Sequence, residues 1–377
     1  MGGKVFEHLS LPVPRMPPEL YQRVIAECQP KLEALFERVV IPRDAPSKSD
    51  HGDIDFLVGG ILVKPRGEDL WKLVEGFLAA DHREARGQSQ SYALSHPDIP
   101  GAYVQVDIEL APGDGTLGAA DLFEWTKFMK GDADLLQIIG IAHRPLGLVC
   151  NDRGLHVRLE QIEPYDKQKA LLFLTRDPDE AMRFYGLDTD QYAQGFASEM
   201  ELFDWVASGR FFSPAVFEQR VEKSADKSRQ LKRPMYRHFV ETYMPTQPTA
   251  PRNWTREEVL RDAIAYFDTA PEYAHKLAAH RAGEAESQLW DEVKALLPAN
   301  DKALKSAVRA LRRWVVFTER RPAIDRCPVQ HTEYLRWSDY VGEANKEEVF
   351  AWVVLNWREV KSRDKAYDKQ PGGLQDG

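Results

Sequence analysis

The residues best placed to do chemistry lie in 47–58. There Ser47-Lys48-Ser49-Asp50-His51-Gly52, without one apolar side chain, runs into Asp53-Ile54-Asp55 and then Phe56-Leu57-Val58. A strand over the second half, with its period of two, sets Asp53 and Asp55 on one face and Ile54, Phe56 and Val58 on the other. Two adjacent carboxylates repel unless a cation lies between them. Their hard oxygens suit Mg²⁺, which takes one or two protein carboxylates and keeps its other positions for water and phosphate oxygens. A later strand, Tyr103–Leu110, carries Asp107 on its polar face, with Val104, Val106, Ile108 and Leu110 opposite. A helix crossover and one further strand lie between the two, and that path can return the chain beside its starting strand. Three carboxylates on one sheet face would make a two-metal site. One ion would lower the pKa of an attacking hydroxyl, and both would balance charge on a transferring phosphoryl group. The alternative is a pair of solvated strand faces on which acids happen to cluster.

The elements that must position these residues can be read from periodicity and breakers. Leu20, Val24, Cys28, Leu32, Leu35 and Val39 recur at helical spacing over 18–39, with Pro17-Pro18 at the start. A short strand over 38–41 follows, then the polar turn and a strand over 54–63. A helix is expected around 70–78, a strand over 88–94, the strand Tyr103–Leu110, and one helix over 119–143. Asn151-Asp152-Arg153-Gly154 between apolar runs reads as a hairpin turn, and Asp177-Pro178-Asp179-Glu180 as a helix start. Gly113 to Gly118 matches G-x-G-x-x-G, but the preceding strand alternates, with Gln105, Asp107 and Glu109 expected to be exposed. A flexible turn is therefore the reading there. Beyond it, helices are expected over 196–206, 217–239, 255–266, 287–297, 301–318 and 346–363.

At this level the residues resemble a known family. Gly52 to Val58, followed by Val106-Asp107-Ile108-Glu109-Leu110, resembles the palm of the polymerase-beta-type nucleotidyltransferases, and within them the family X DNA polymerases. Phe128-Met129-Lys130-Gly131-Asp132 falls where that family has an aromatic-Thr-Gly-Ser turn near the incoming nucleotide. Residues 146–155 resemble its following hairpin, and Glu180 with Gly186-Leu187-Asp188 its later Glu…Leu-Gly-Leu segment. The resemblance spans residues 35–210. It implies an α+β nucleotidyltransferase palm, a mixed or antiparallel sheet with flanking helices, followed by an all-α C-terminal domain. It also implies that Asp53, Asp55 and Asp107 hold two Mg²⁺ ions, with Mn²⁺ as the alternative, and that Asp107 activates the acceptor hydroxyl. An NTP such as ATP would be the substrate, with Lys130 and Gly131 beside it. The family's phosphate-gripping Gly-Ser would fall near Pro42-Arg43, and neither residue can do that job in the same way. Ser47, Lys48 and Ser49 offer hydroxyls and an ammonium instead, though they are equally ordinary loop residues. Glu109 stands where the polymerases carry a basic residue. No lyase or helix-hairpin-helix module is recognisable in 1–35, so gap-filling repair is not expected.

The 377 residues, 43% hydrophobic and 29% charged, suit a chain of two or three domains. The expected organisation is an N-terminal helix in 1–35, a palm with helical extension in 36–243, a Pro-rich linker in 244–252, a helical domain in 253–367 and a disordered tail in 368–377. Three scattered cysteines and the lack of a signal peptide or membrane span point to an intracellular protein, cytoplasmic or nuclear. A net charge of −9 confines any nucleic-acid binding to local patches. The basic helices at 220–238 and 302–313 are the candidates for RNA, against the plainer reading of wet amphipathic faces. Trp314, Trp337, Trp352 and Trp357 are expected to pack the helical domain. Nothing in the sequence bears on oligomeric state. The preferred reading is transfer of a nucleoside monophosphate to a hydroxyl on an RNA 3′ end or a smaller molecule. A catalytically silent relative that binds nucleic acid or protein is the first alternative, and an Asp-x-Asp glycosyltransferase the second.

Overall fold

The computed structural model describes residues 3–63, 69–87, 89–215, 232–248, 254–330 and 334–369. Its chain divides into two compact units, Met1–Ala270 and Pro271–Gly377. The first is built on a five-stranded sheet in the order β1-β2-β5-β4-β3. These strands are Phe36–Val40 (β1), Ile54–Ile61 (β2), His82–Arg86 (β3), Ser89–Ser95 (β4) and Tyr103–Leu110 (β5). β2 and β5 run parallel at the centre, and the other pairings are antiparallel. This is the α+β arrangement expected of the palm, a mixed sheet with flanking helices. β3 was not anticipated: His82-Arg83-Glu84-Ala85-Arg86 has no apolar face and holds its place as an edge strand through its ladder with β4.

One sheet face is apolar. Ile54, Phe56, Val58, Val104, Val106 and Ile108 pack with Val24, Cys28 and Leu32 of α1 (Pro18–Glu33) and Val74 and Leu78 of α2 (Leu70–Leu78) in one core. Complete burial of each such side chain contributes roughly 1.5–3 kcal/mol. α1 ends at Glu33, short of the expected 39, because Phe36–Val40 is drawn into the sheet. The other face carries Leu57 and Ala111, covered by Phe123 of α3 (Ala119–Lys130). The expected single helix over 119–143 is broken. Asp132 and Ala133 adopt positive φ (52° and 51°), and the chain restarts as α4 (Leu135–His143).

A second sheet, β6 (Leu148–Asn151), β7 (Gly154–Arg158) and β8 (Leu171–Thr175), contains the expected hairpin and a third strand that was not anticipated. Next come α5 (Pro178–Tyr185), capped by Asp177, then α6 (Thr189–Gln194) and α7 (Glu199–Ala207). Most of the expected helix over 217–239 lies outside the described residues. The unit boundary at Ala270 differs from the expected linker at 244–252. Tyr243 and Met244 are buried, and the helix Arg256–Tyr266 is tied to the first unit. Arg256 pairs with Glu160 and Glu163, and Trp254 Nε1 donates to the Arg210 carbonyl.

The second unit is helical, with Ala270–Leu296, Asp301–Trp314 and Lys346–Tyr367 around buried Trp290, Trp314, Trp337 and Trp357. It is not wholly α. Val315–Thr318, expected as helix, pairs antiparallel with Arg321–Ile324, because β-branched residues and a Glu319-Arg320 turn at positive φ favour a hairpin there. Asp364, only 1% exposed, accepts from Arg309, Arg313 and the Trp314 indole. Asp364→Ala should destabilise this unit by about 2–3 kcal/mol, because the buried Trp314 indole loses its acceptor while Arg309 and Arg313, partly open to water, keep only Asp368. Chemical denaturation followed by tryptophan fluorescence would measure it.

Candidate active site

The parallel register sets Asp55 directly beside Asp107, with Ile54 opposite Val106 and Phe56 opposite Ile108. Asp53, two residues before Asp55, belongs to the same face by the strand period. The structure therefore brings all three sequence-derived carboxylates onto one side of the sheet. The reason is topological: α2, β3 and β4 form the connection that returns β5 to lie against β2.

Each outer carboxylate is already engaged. Asp53 Oδ2 accepts the Gly3 amide at 3.2 Å. Both Asp107 oxygens accept from Gln105 Nε2, at 3.0 and 3.1 Å, and Gln105 Oε1 accepts the Val5 amide at 3.1 Å. Burial among protein atoms pushes the Asp55 carboxyl up to about 7, and repulsion from Asp53 and Asp107 adds to it, while Lys130 and Lys48 pull the other way. Its side chain nonetheless stays open to solvent on one side, so the crowding comes from the sheet and its acids and not from a closed lid. Asp107 is raised too, by burial first and by Asp53 as well, with hydrogen bonds from Ser91 and Gln105 opposing.

Among the described residues no three His, Cys, Asp or Glu side chains stand close enough together to hold a metal ion as they are. The hydrogen bonds from Gly3 and Gln105 give a physical reason, since they direct Asp53 and Asp107 toward protein donors. The donor set itself, oxygen only and short of positive charge, is that of a hard divalent cation such as Mg²⁺.

The residues expected around a nucleotide are distributed unevenly. Lys130 pairs with Glu109 at 2.8 Å, and Lys48 pairs with Asp44. Ser47 Oγ donates to the Ala197 carbonyl at 3.0 Å, and Ser49 is exposed. Gly131 ends α3 and lines a cavity of about 1000 Å³ together with Arg43, Lys127, Phe128, Arg176 and Tyr192. None of the three aspartates lines that cavity.

Two features escape sequence reasoning in part. Gln105, expected to be exposed, is only 1% exposed, because Val5 and Phe6 lie over it and Ala93. The period of two already placed it next to Asp107; the covering segment was the missing information. Arg43, near which the sequence resemblance would put a phosphate grip, forms a bidentate pair with the buried Asp132 at 2.6 and 2.8 Å. It also donates to the Tyr192 carbonyl at 2.7 Å, with its guanidinium 4.6 Å from the Tyr192 ring centre.

Fold and face together define an α+β protein whose mixed sheet presents three carboxylates at its parallel centre. No family model matches the chain, and no curated protein matches it. Among solved structures, a Leishmania infantum polymerase beta in a ternary P/T complex is similar over 46% of this chain and 74% of that one. The identity is 16% and the TM-score 0.32. With a likeness that distant, what the acidic face can do follows from its own residues. Among the described residues no helix is long and apolar enough to cross a membrane.

Proposed function

We propose that this protein is a nucleotidyltransferase that moves a nucleoside monophosphate from an NTP to a hydroxyl and releases pyrophosphate. The observation that carries the reading is the register of Asp55 beside Asp107 on parallel strands, with Asp53 on the same face. Two Mg²⁺ ions, or Mn²⁺ in their place, would supply hydroxyl activation and charge balance at the phosphoryl group. Asp53 and Asp55 would hold them, with Asp107 as the third ligand. Asp107 also takes the proton of the acceptor hydroxyl as its oxygen bonds to the α-phosphorus and the bond to the pyrophosphate oxygen breaks. Lys130 and Lys48, whose charges act on Asp55, would supply the cations for the phosphate oxygens. An Asp-x-Asp glycosyltransferase leaves Asp107 without a role, so it explains this face less well.

The Arg43–Asp132 pair favours one other reading, a catalytically silent nucleotidyltransferase-like module, because it ties up the phosphate-gripping position. Thermal shift and pyrophosphate release against the four NTPs separate the two. With Mg²⁺ present, an enzyme's Tm should rise by about 2–4 °C with at least one NTP at ten times its Kd, as expected for about 1.4 kcal/mol of binding stabilisation. Neither a shift nor pyrophosphate with any NTP would leave the silent module.

A further inference from the structure

Away from the five-stranded sheet, three arginines converge on Gly147, in the turn between α4 and β6. The Arg144 carbonyl accepts the Gly147 amide at 3.1 Å, and the Gly147 carbonyl accepts the Arg158 amide at 2.8 Å. Arg256 Nε sits 3.2 Å from where a Cβ on Gly147 would stand. All three arginines line one cavity of about 430 Å³, with Leu136, Leu148 and Val149 as apolar wall. None of the lining residues comes from β1–β5, so the cavity is separate from the acidic face. Two glycines make room for the cations. Gly147 takes a positive φ of 84°, and a Cβ on Gly140 of α4 would come 2.6 Å from Arg144 Nη2.

Among the described residues that line this cavity, Glu163 is the one acid. It accepts from Arg158 Nη1 at 2.9 Å and from Arg256 Nη2 at 2.8 Å. Burial raises the Glu163 carboxyl, yet the hydrogen bonds from Arg256 and Arg158 outweigh it and hold the acid below the usual carboxylate range. The surroundings thus favour negative charge. Two donors are still left without an acceptor. Nε of Arg158 and Nε of Arg256 are shut away from solvent and make no hydrogen bond, Glu160 Oε1 lying 3.0 Å from the latter but off its N–H direction. A buried donor left unpaired is costly, most of all on a charged group. A carboxylate would offer two oxygens to three arginine forks, whereas a terminal phosphate offers three. The cavity has the size of a small-ligand site, with room beside its cations for more than the phosphate alone.

We propose that this cavity is a second ligand site, which takes a small phosphate-bearing molecule with its phosphate on Arg144, Arg158 and Arg256 and its apolar part against Leu136 and Val149. It stands whether or not the acidic face transfers nucleotides. Isothermal titration calorimetry on the full chain tests it, with inorganic phosphate and pyrophosphate as probes. EDTA in every sample keeps a divalent ion from carrying either probe to Asp53, Asp55 and Asp107. The expected result is saturable binding of pyrophosphate at one site, with a Kd on the order of 10⁻⁴ M or tighter. Arg144→Gln, at an exposed position, should weaken it about tenfold or more. Gly140→Ala should do the same while keeping every charge, because the new methyl displaces the Arg144 guanidinium and alanine suits a helix better than glycine. Lys72→Gln removes an equal charge from an exposed position on α2 and should leave the affinity unchanged. Absence of saturable binding up to about 10⁻² M would overturn the site, and so would binding that neither Arg144→Gln nor Gly140→Ala weakens. A short oligoribonucleotide that binds through Arg144 while neither small probe binds would overturn the small ligand in favour of a polynucleotide phosphate.

Discussion

Asp55→Asn will abolish pyrophosphate release, by about 10³-fold or more, because it removes the carboxylate at the centre of the acidic face. The same substitution will make the unliganded protein more stable at high pH, and this opposite sign makes the experiment decisive. In the folded protein the Asp55 carboxyl is pushed up to about 7 by burial and by its acidic neighbours. In the unfolded chain it titrates near the usual value of about 3.9. Folding therefore takes up a proton between those values. The associated stabilisation is complete below the unfolded pKa and is lost as pH rises through the folded one. Asn cannot ionise and escapes that loss. The variant's Tm should exceed the wild type's by about 2 °C at pH 8, with the difference shrinking toward pH 5; solvent on the open side of Asp55 keeps it small. Adding Mg²⁺ at pH 8 should raise the wild-type Tm and leave Asp55→Asn unmoved. Scanning calorimetry at both pH values, with and without Mg²⁺, reads all of this. A variant less stable than wild type at pH 8 would mean that the three acids do not crowd one another.

Arg43→Ala should destabilise the first unit by about 2–4 kcal/mol. The range is discounted from that of a fully buried pair because Arg43 is about a third exposed (36%), whereas Asp132 is 1% exposed. The loss comes mainly from Asp132, which would be left buried without its bidentate partner. Tm should fall by about 5–10 °C. Arg43→Lys should restore little, since one ammonium cannot reproduce the planar fork on both carboxylate oxygens and the stacking on Tyr192. Adding Asp132→Asn to Arg43→Ala should recover part of the loss, because a neutral amide is left in place of an unpaired charge. A double-mutant cycle by urea denaturation measures the coupling directly. Coupling below about 0.5 kcal/mol would mean that the pair is a surface contact in energetic terms.

Much of the central sheet could be read from local pattern alone. Tyr103–Leu110 alternates cleanly over eight residues, and its observed bounds match the expected ones. Asp177 caps a helix through the Asp179 and Glu180 amides, as Asp-Pro-Asp-Glu implies. Less was legible where neighbours override pattern. β3 has no apolar alternation and exists because β4 offers it a ladder. The helix over 119–143 looks continuous by composition, yet Asp132 turns out of it to meet Arg43 from a distant loop. The hairpin beginning at Val315 follows a strongly amphipathic helix whose period runs on past Trp314.

By itself the sequence determined which side chains could share a face: Asp53 with Asp55, Gln105 with Asp107, and apolar residues opposite both. That follows from the fixed period of a strand and needs no knowledge of the fold. Only the tertiary structure decided that Asp55 and Asp107 are neighbours, that Gly3 and Val5 reach across to their acidic group, and that Arg43 belongs to Asp132. Each of those contacts joins residues about 50 or more positions apart. Long-range pairing of that kind is chosen by the packing of the whole sheet and leaves no local mark on the chain.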